Sequence, residues 1–291
     1  MWGDIVKNTR TITDKRAISP NSGAIDGFPC FVVINGEWKG IYNFNIPKDG
    51  WMMDMGEGTK EAIVCAENTN ACLFKENAVI GKDYDLEYNS DGWAEADIQA
   101  SLNNIHNACI NGDMTALEQC LDIESAIDHF IFMALARSTD TNSKNYLLST
   151  YDGTKWFFTE YDLDATWGLH WNGKSFLASG QIYDDILSPM TFSLIGGTNK
   201  LFALILENRK AEFIARYKTL RKKYLSVGWV SQRFYNHACQ IPLPAYNEEA
   251  KLWKEMPCTS VNNGAQIISW YQDRAIACDE EVAAMEATLS E

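Results

Sequence analysis

The stretch R-S-T-D-T-N-S-K-N-Y-L-L-S-T-Y-D-G-T-K-W-F-F-T-E-Y-D-L-D-A-T-W-G, Arg137 to Gly168, decides how the rest of this chain is read. It places Asp140 and Asn145 in a D-x-x-x-x-N spacing directly after an apolar helical run. Two strand-like segments follow, Tyr146 to Thr150 and Trp156 to Tyr161, around a turn at Asp152-Gly153, and the second delivers Asp162 and Asp164. Short strands folded back at a tight turn return the chain to its start. Asn145 and Asp162 are therefore expected side by side. Three acids and an amide gathered by one hairpin point to a site for a divalent cation and phosphate.

Upstream, Ile123, Ile127, Phe130, Ile131 and Leu135 keep a helical repeat that ends near Arg137, with Asp122 as its cap. His129 on that helix reads as a packed histidine. Ile98, Leu102, Ile105 and Cys109 form an earlier helix stopped by Asn111-Gly112, and Asp113 caps a short one running to Cys120. Trp2 to Arg10 reads as the tail of a helix, followed by a polar loop to Gly27. Phe31 to Ile34 and Gly40 to Ile46 read as strands joined at Asn35-Gly36, with Pro47 ending the second. Gly56 to Lys60, G-E-G-T-K, invites a phosphate-loop reading but lacks G-x-x-x-x-G-K-[ST], so it reads as a turn before a strand at Ala62 to Ala66. Gly196 to Lys200 reads as a loop before a helix. Asp83 to Asp97 has some calcium-loop offsets, but Glu87 stands first and Ile98 twelfth, so a solvated loop leading into a helix is expected. Beyond Gly168 come a loop-rich region, a helix from Leu201 to Tyr224 and a closing helical run from about Gly264 to Leu289. The pattern predicts an α+β fold: a small β-rich part over residues 1–97 and a mainly helical part over 98–291 that holds the hairpin.

Composition narrows the function classes. The chain has 291 residues, 46% of them hydrophobic, so it can bury a sizeable core. A formal net charge of −14 argues against a nucleic-acid partner. The one basic cluster, Arg216 to Lys223, reads as the solvated face of a helix. No run reaches the roughly 18–20 apolar residues of a membrane span, and the first residues lack a signal-peptide core, so a cytoplasmic protein with no membrane partner is expected. The eight cysteines form no C-x-x-C pair and read mainly as reduced core thiols; the four histidines show no zinc spacing.

Phosphoryl transfer needs a carboxylate for the attacking hydroxyl and metal ions on the nucleotide phosphates. Protein kinases supply an Asp, an Asn five residues later, and a metal-binding Asp after a hairpin. Asp140, Asn145 and Asp162 follow that order here, although Ser138-Thr139 replaces the usual His-Arg and Leu163-Asp164 the usual Phe-Gly. The chain resembles the CotH (spore coat protein H) kinase family of atypical kinases in N-G-E-W-K-G-I-Y (Asn35 to Tyr42), in the helix into Asp140 with N-Y-L-L (Asn145 to Leu148), in Y-D-L-D-A-T-W-G (Tyr161 to Gly168), and in F-I-A-R-Y-K-T-L (Phe213 to Leu220). The resemblance implies a kinase-like fold and transfer of the ATP γ-phosphate to Ser or Thr of a protein, with Mg²⁺. It implies Asp140 as the base and Asn145, Asp162 and Asp164 at the metal. The family's phosphate-contacting lysine lies on strands expected before Met1, which makes Lys48 the candidate nucleotide contact in this chain, and the family's acidic residue after G-x-Y falls on Ile46. The alternative expectation is an inactive relative serving as a coat or virion interaction module.

Overall fold

The computed structural model describes residues 1–138, 144–169, 198–254 and 265–289. The central hairpin forms as β5 (Tyr146–Thr150) and β6 (Trp156–Glu160), antiparallel, with Tyr146 opposite Glu160 and Thr150 opposite Trp156. Asp152 closes the turn, its Oδ1 accepting from the N–H groups of Thr154 (2.7 Å) and Lys155 (2.8 Å). Gly153 sits at φ +70°, where an added Cβ would lie only 3.0 Å from Lys60 and Trp93, so any larger residue would be strained there.

β5 also pairs with β3 (Ala62–Ala66), and β3 with β4 (Tyr84–Asn89), giving an antiparallel sheet in the order β4-β3-β5-β6. The boundary expected at residue 97 crosses this sheet. Every residue of β3, β5 and β6 is buried because both sheet faces are covered. On one face Val64, Tyr146, Leu148, Trp156 and Phe158 join the main core with α4 (Glu95–Asn111), α6 (Ile123–Ala136) and α7 (Lys200–Lys222). On the other, Ile63, Cys65, Leu147 and Phe157 lie under Met52 and Met53 from a 3₁₀ turn, Gly50–Met53. α6 is buried at every position from Ser125 to Ala136, as an apolar helix at the centre of a core must be.

The helix starts follow the expected caps. Asp122 accepts from Ser125 N–H (3.0 Å) and Asp113 from Ala116 N–H (2.9 Å), the latter starting α5 (Met114–Cys120). Asn199 caps α7 through Phe202 N–H (2.9 Å); the two glycines before it lie outside the described residues. β1 (Gly27–Ile34) and β2 (Glu37–Asn45) form a separate ribbon, longer than expected. Asn35 (φ 53°) and Gly36 (φ 80°) give its turn the two positive φ angles of type I′.

Some expectations are corrected. The acidic stretch after Asp83 is strand β4 before it is a loop, since Tyr84, Leu86 and Tyr88 alternate with Asp85, Glu87 and Asn89. Trp2 to Thr9 is helical as expected (α1, with Trp2, Ile5 and Val6 buried), but the polar stretch after it, read as a loop, contains α2 (Lys15–Ile18), capped by Asp14. Between the two long C-terminal helices lie α8 (Val227–Ala238) and α9 (Leu243–Leu252), ahead of α10 (Ala265–Ala287). The basic cluster is no free solvated face: Arg216 reaches buried Asp128 (2.6 Å), and Arg221 holds Asp279 (2.9 Å). The described cysteines are free thiols, and Cys65, Cys72, Cys109, Cys120 and Cys278 are buried. No helix among the described residues is long and apolar enough to cross a membrane.

A buried polar knot joins the sheet to α4. His106 Nδ1 lies 2.8 Å from the Glu76 carbonyl, which can only accept, so that nitrogen carries the proton. Nε2 then accepts from the Tyr84 hydroxyl at 3.0 Å, while the Tyr146 hydroxyl donates to the Ala71 carbonyl at 2.7 Å. Burial pushes the His106 pKa down to about 4, the Glu76 bond acting the other way. Between that value and about 6.5 the unfolded chain binds a proton that the folded one refuses, so stability falls as pH drops through this window. At pH 5 the loss is expected to be about 2 kcal/mol. Urea midpoints at pH 7 and pH 5 check this: His106→Gln should start lower and lose less across the interval than the wild type.

Candidate functional site

Because Tyr146 pairs with Glu160, the residues one step further out, Asn145 and Tyr161, leave the same end of the β5–β6 ladder, and Asp162 follows. The backbone is constrained there. Arg137, Asn145, Asp162 and Trp167 all have positive φ, half of the non-glycine residues that do so among the described ones. Such conformations persist only where surrounding contacts fix them, and they concentrate at functional sites. The fixing contacts are visible. Asn145 N–H donates to the Ala66 carbonyl of β3 (2.9 Å), and Trp167 N–H to the Ala136 carbonyl at the end of α6 (2.8 Å). The Trp167 ring packs edge-on against Phe132, Phe234 and Tyr271, anchoring the segment after Asp164 to three helices.

Asn145 is buried, yet its Nδ2 has no hydrogen-bond partner among the described residues. A buried unpaired amide is costly unless another group completes it. A half-turn of χ2 exchanges its nitrogen and oxygen, so it can offer a donor to phosphate or an oxygen to a cation. Asp162 and Asp164 are exposed. An amide oxygen and carboxylates are the hard donors that Mg²⁺ takes, so the residues present fit such an ion. Asp140 lies outside the described residues.

Lys48 arrives from the segment after β2. Its Nζ stands 2.5 Å from Glu87 Oε1 on β4 and 4.6 Å from the centre of the Tyr161 ring. Burial opposes its charge, but the Glu87 hydrogen bond and the nearby Cys65 and Tyr161 outweigh it, so the Lys48 pKa is raised. The lysine is thus held, still charged, beside the residue that precedes Asp162. Cys65, Glu67 and Glu87 also bring potential ligand atoms within 4.8 Å of one another. The Lys48 ammonium, bonded to Glu87 there, gives that cluster a cation of its own. Glu87 was not singled out as a site residue from sequence; the alternation Y-D-L-E-Y-N is the signal that would have placed it on a strand beside β3.

The first glycine-rich loop, Gly56 to Lys60, holds no phosphate cradle. Gly56 N–H donates to Glu61 Oε2 at 2.6 Å, so in G-E-G-T-K the chain's own carboxylate takes the place an anion would have.

The model of the CotH kinase protein family matches residues 24–277. The chain belongs to the CotH kinase family. The match takes in the Asn35–Gly36 hairpin, the β5–β6 pair and the Tyr161 to Gly168 segment, and with it the α+β architecture is that of a kinase-like CotH protein. No curated protein matches the chain.

In this CotH kinase relative, burial pushes the Cys65 thiol up to about 12, with Lys48 pulling it down. Thiolate is the reactive form. Alkylation of the native protein at pH 8, read by mass spectrometry, should therefore label exposed Cys239 and spare Cys65. Equal labelling of the two would show that Cys65 is reachable from solvent and its thiol ionisable.

Proposed function

We propose that this chain is a protein kinase of the CotH type, transferring the γ-phosphate of ATP to a Ser or Thr hydroxyl of a coat or other structural protein in a Mg²⁺-dependent reaction. The observation that carries the proposal is the β5–β6 register, which delivers Asn145, with its unpaired buried amide, and Asp162 to one end of the sheet beside Lys48. In this reading the acceptor oxygen attacks the γ-phosphorus as the bond to the β–γ bridging oxygen breaks, ADP leaves, and the hydroxyl proton passes to the Asp140 carboxylate. Asn145, Asp162 and Asp164 hold Mg²⁺, which when bound neutralises charge on the phosphates. Lys48 contacts phosphate oxygens, with Glu87 and the Tyr161 ring fixing its direction, as a lysine–glutamate pair does in kinases.

A second reading, an inactive relative acting as an interaction module, is favoured by one feature. The β1–β2 ribbon exposes Phe28, Phe31, Val33, Ile34 and Phe44, an apolar surface suited to a protein partner.

Phosphate transfer from labelled ATP to protein hydroxyls separates the two. Asp140→Ala and Asp162→Ala should each lower turnover at least ~100-fold while melting within a few degrees of the wild type. Lys48→Ala should raise the KM for ATP about tenfold, the scale of one lost charged contact. Wild-type turnover no greater than that of Asp140→Ala and Asp162→Ala would overturn the kinase reading in favour of the interaction module.

A further inference from the structure

Glu160, the last residue of β6, is a buried carboxylate that the reading above leaves unused. Its Oε1 lies 2.7 Å from His129 Nδ1 on α6, and both side chains are almost wholly enclosed, 1% and 3% exposed. The His129 ring is clamped, stacked on Phe158 at 4.4 Å between centroids and edge-on to Tyr146 at 5.4 Å. One carboxylate oxygen is therefore fixed by a rigid partner. The other, Oε2, is buried with no hydrogen-bond partner among the described residues. Leaving a carboxylate oxygen dry and unpaired is expensive, and such a group in a folded protein calls for an explanation.

Its place in the sheet supplies one. Glu160 pairs with Tyr146 in the last rung of the ladder, Asn145 is the next residue out from β5, and Asp162 lies two residues further along the chain from Glu160. Mg²⁺ usually retains several of its waters, and carboxylates outside the direct ligand set commonly accept hydrogen bonds around such ions. Resting on the kinase reading for the cation itself, we propose that Glu160 is a positioning residue of the cation site. His129 fixes its Oε1, and Oε2 accepts from the cation's hydration shell. The same pair ties the end of β6, two residues before Asp162, to α6.

Mn²⁺ is the probe, titrated into the full chain and followed by electron paramagnetic resonance of the free ion. Glu160→Gln keeps an acceptor for His129 but removes the charge, and it should weaken Mn²⁺ binding about tenfold. Asp162→Asn should abolish it. In ¹⁵N-histidine-labelled wild-type protein, Mg²⁺ should also shift the His129 ring resonances, a change that a purely structural pair would not show. This readout needs no variant and stands if Glu160→Gln fails to fold. Unchanged Mn²⁺ affinity in folded Glu160→Gln, or unmoved His129 resonances while Asp162-dependent binding persists, overturns the role of Glu160 alone. No Mn²⁺ binding by the wild type overturns this inference together with the metal-dependent reading on which it rests.

Discussion

The antiparallel register of β5 on β6 is the constraint on which the rest depends. Side chains in a strand alternate between faces, so a slip of one residue would carry Tyr146, Leu148 and Phe158 from the helix-covered face to the other. Each such side chain gains about 2 kcal/mol on burial, so the register is strongly held. The Asp152 turn and Gly153 hold the far end, through the side-chain bonds to Thr154 and Lys155 and the close approach of Lys60 and Trp93. The near end is the consequence: Asn145 and Tyr161–Asp162 emerge together because the core places them so.

That end is then furnished from elements remote in sequence. β4 contributes Glu87, the segment after β2 contributes Lys48, and α6 contributes His129. In a chain of formal charge −14, Lys48 sets a positive charge beside the exposed carboxylates that follow β6. The Glu87 bond keeps Lys48 charged and directed, and the Tyr161 ring beneath it links its position to that of Asp162. Strain at Asn145 and Asp162 is tolerated because β3, through Ala66, and α6, through Ala136, fix the chain on either side.

Much of this was legible in the residues. The β5–β6 hairpin, β3 and the caps at Asp113 and Asp122 follow from local chemistry, namely strand alternation, an Asx turn and side-chain acceptors for free helix N–H groups. What was missed depends on tertiary partners. β4 is acidic enough to pass for a loop until β3 is known to lie beside it, and Arg216 looks solvated until Asp128 is known to be buried opposite. Glu160 reads as an ordinary strand residue; only the packing of α6 shows that it is dry, half-paired and adjacent to the candidate site. Lys48 was nominated as a phosphate contact, but its hold on Glu87 could not be read from the surrounding P-K-D.

The most direct test of the account is thermal unfolding with nucleotide. Binding to the folded state alone raises its melting temperature in proportion to ln(1 + [L]/Kd). With millimolar ATP and Mg²⁺ the wild type should melt several degrees higher than without ligand, and replacing Asn145 with Ala should remove most of that rise. An unchanged melting temperature in the wild type would contradict the claim that the end of the β5–β6 ladder is a nucleotide and metal site.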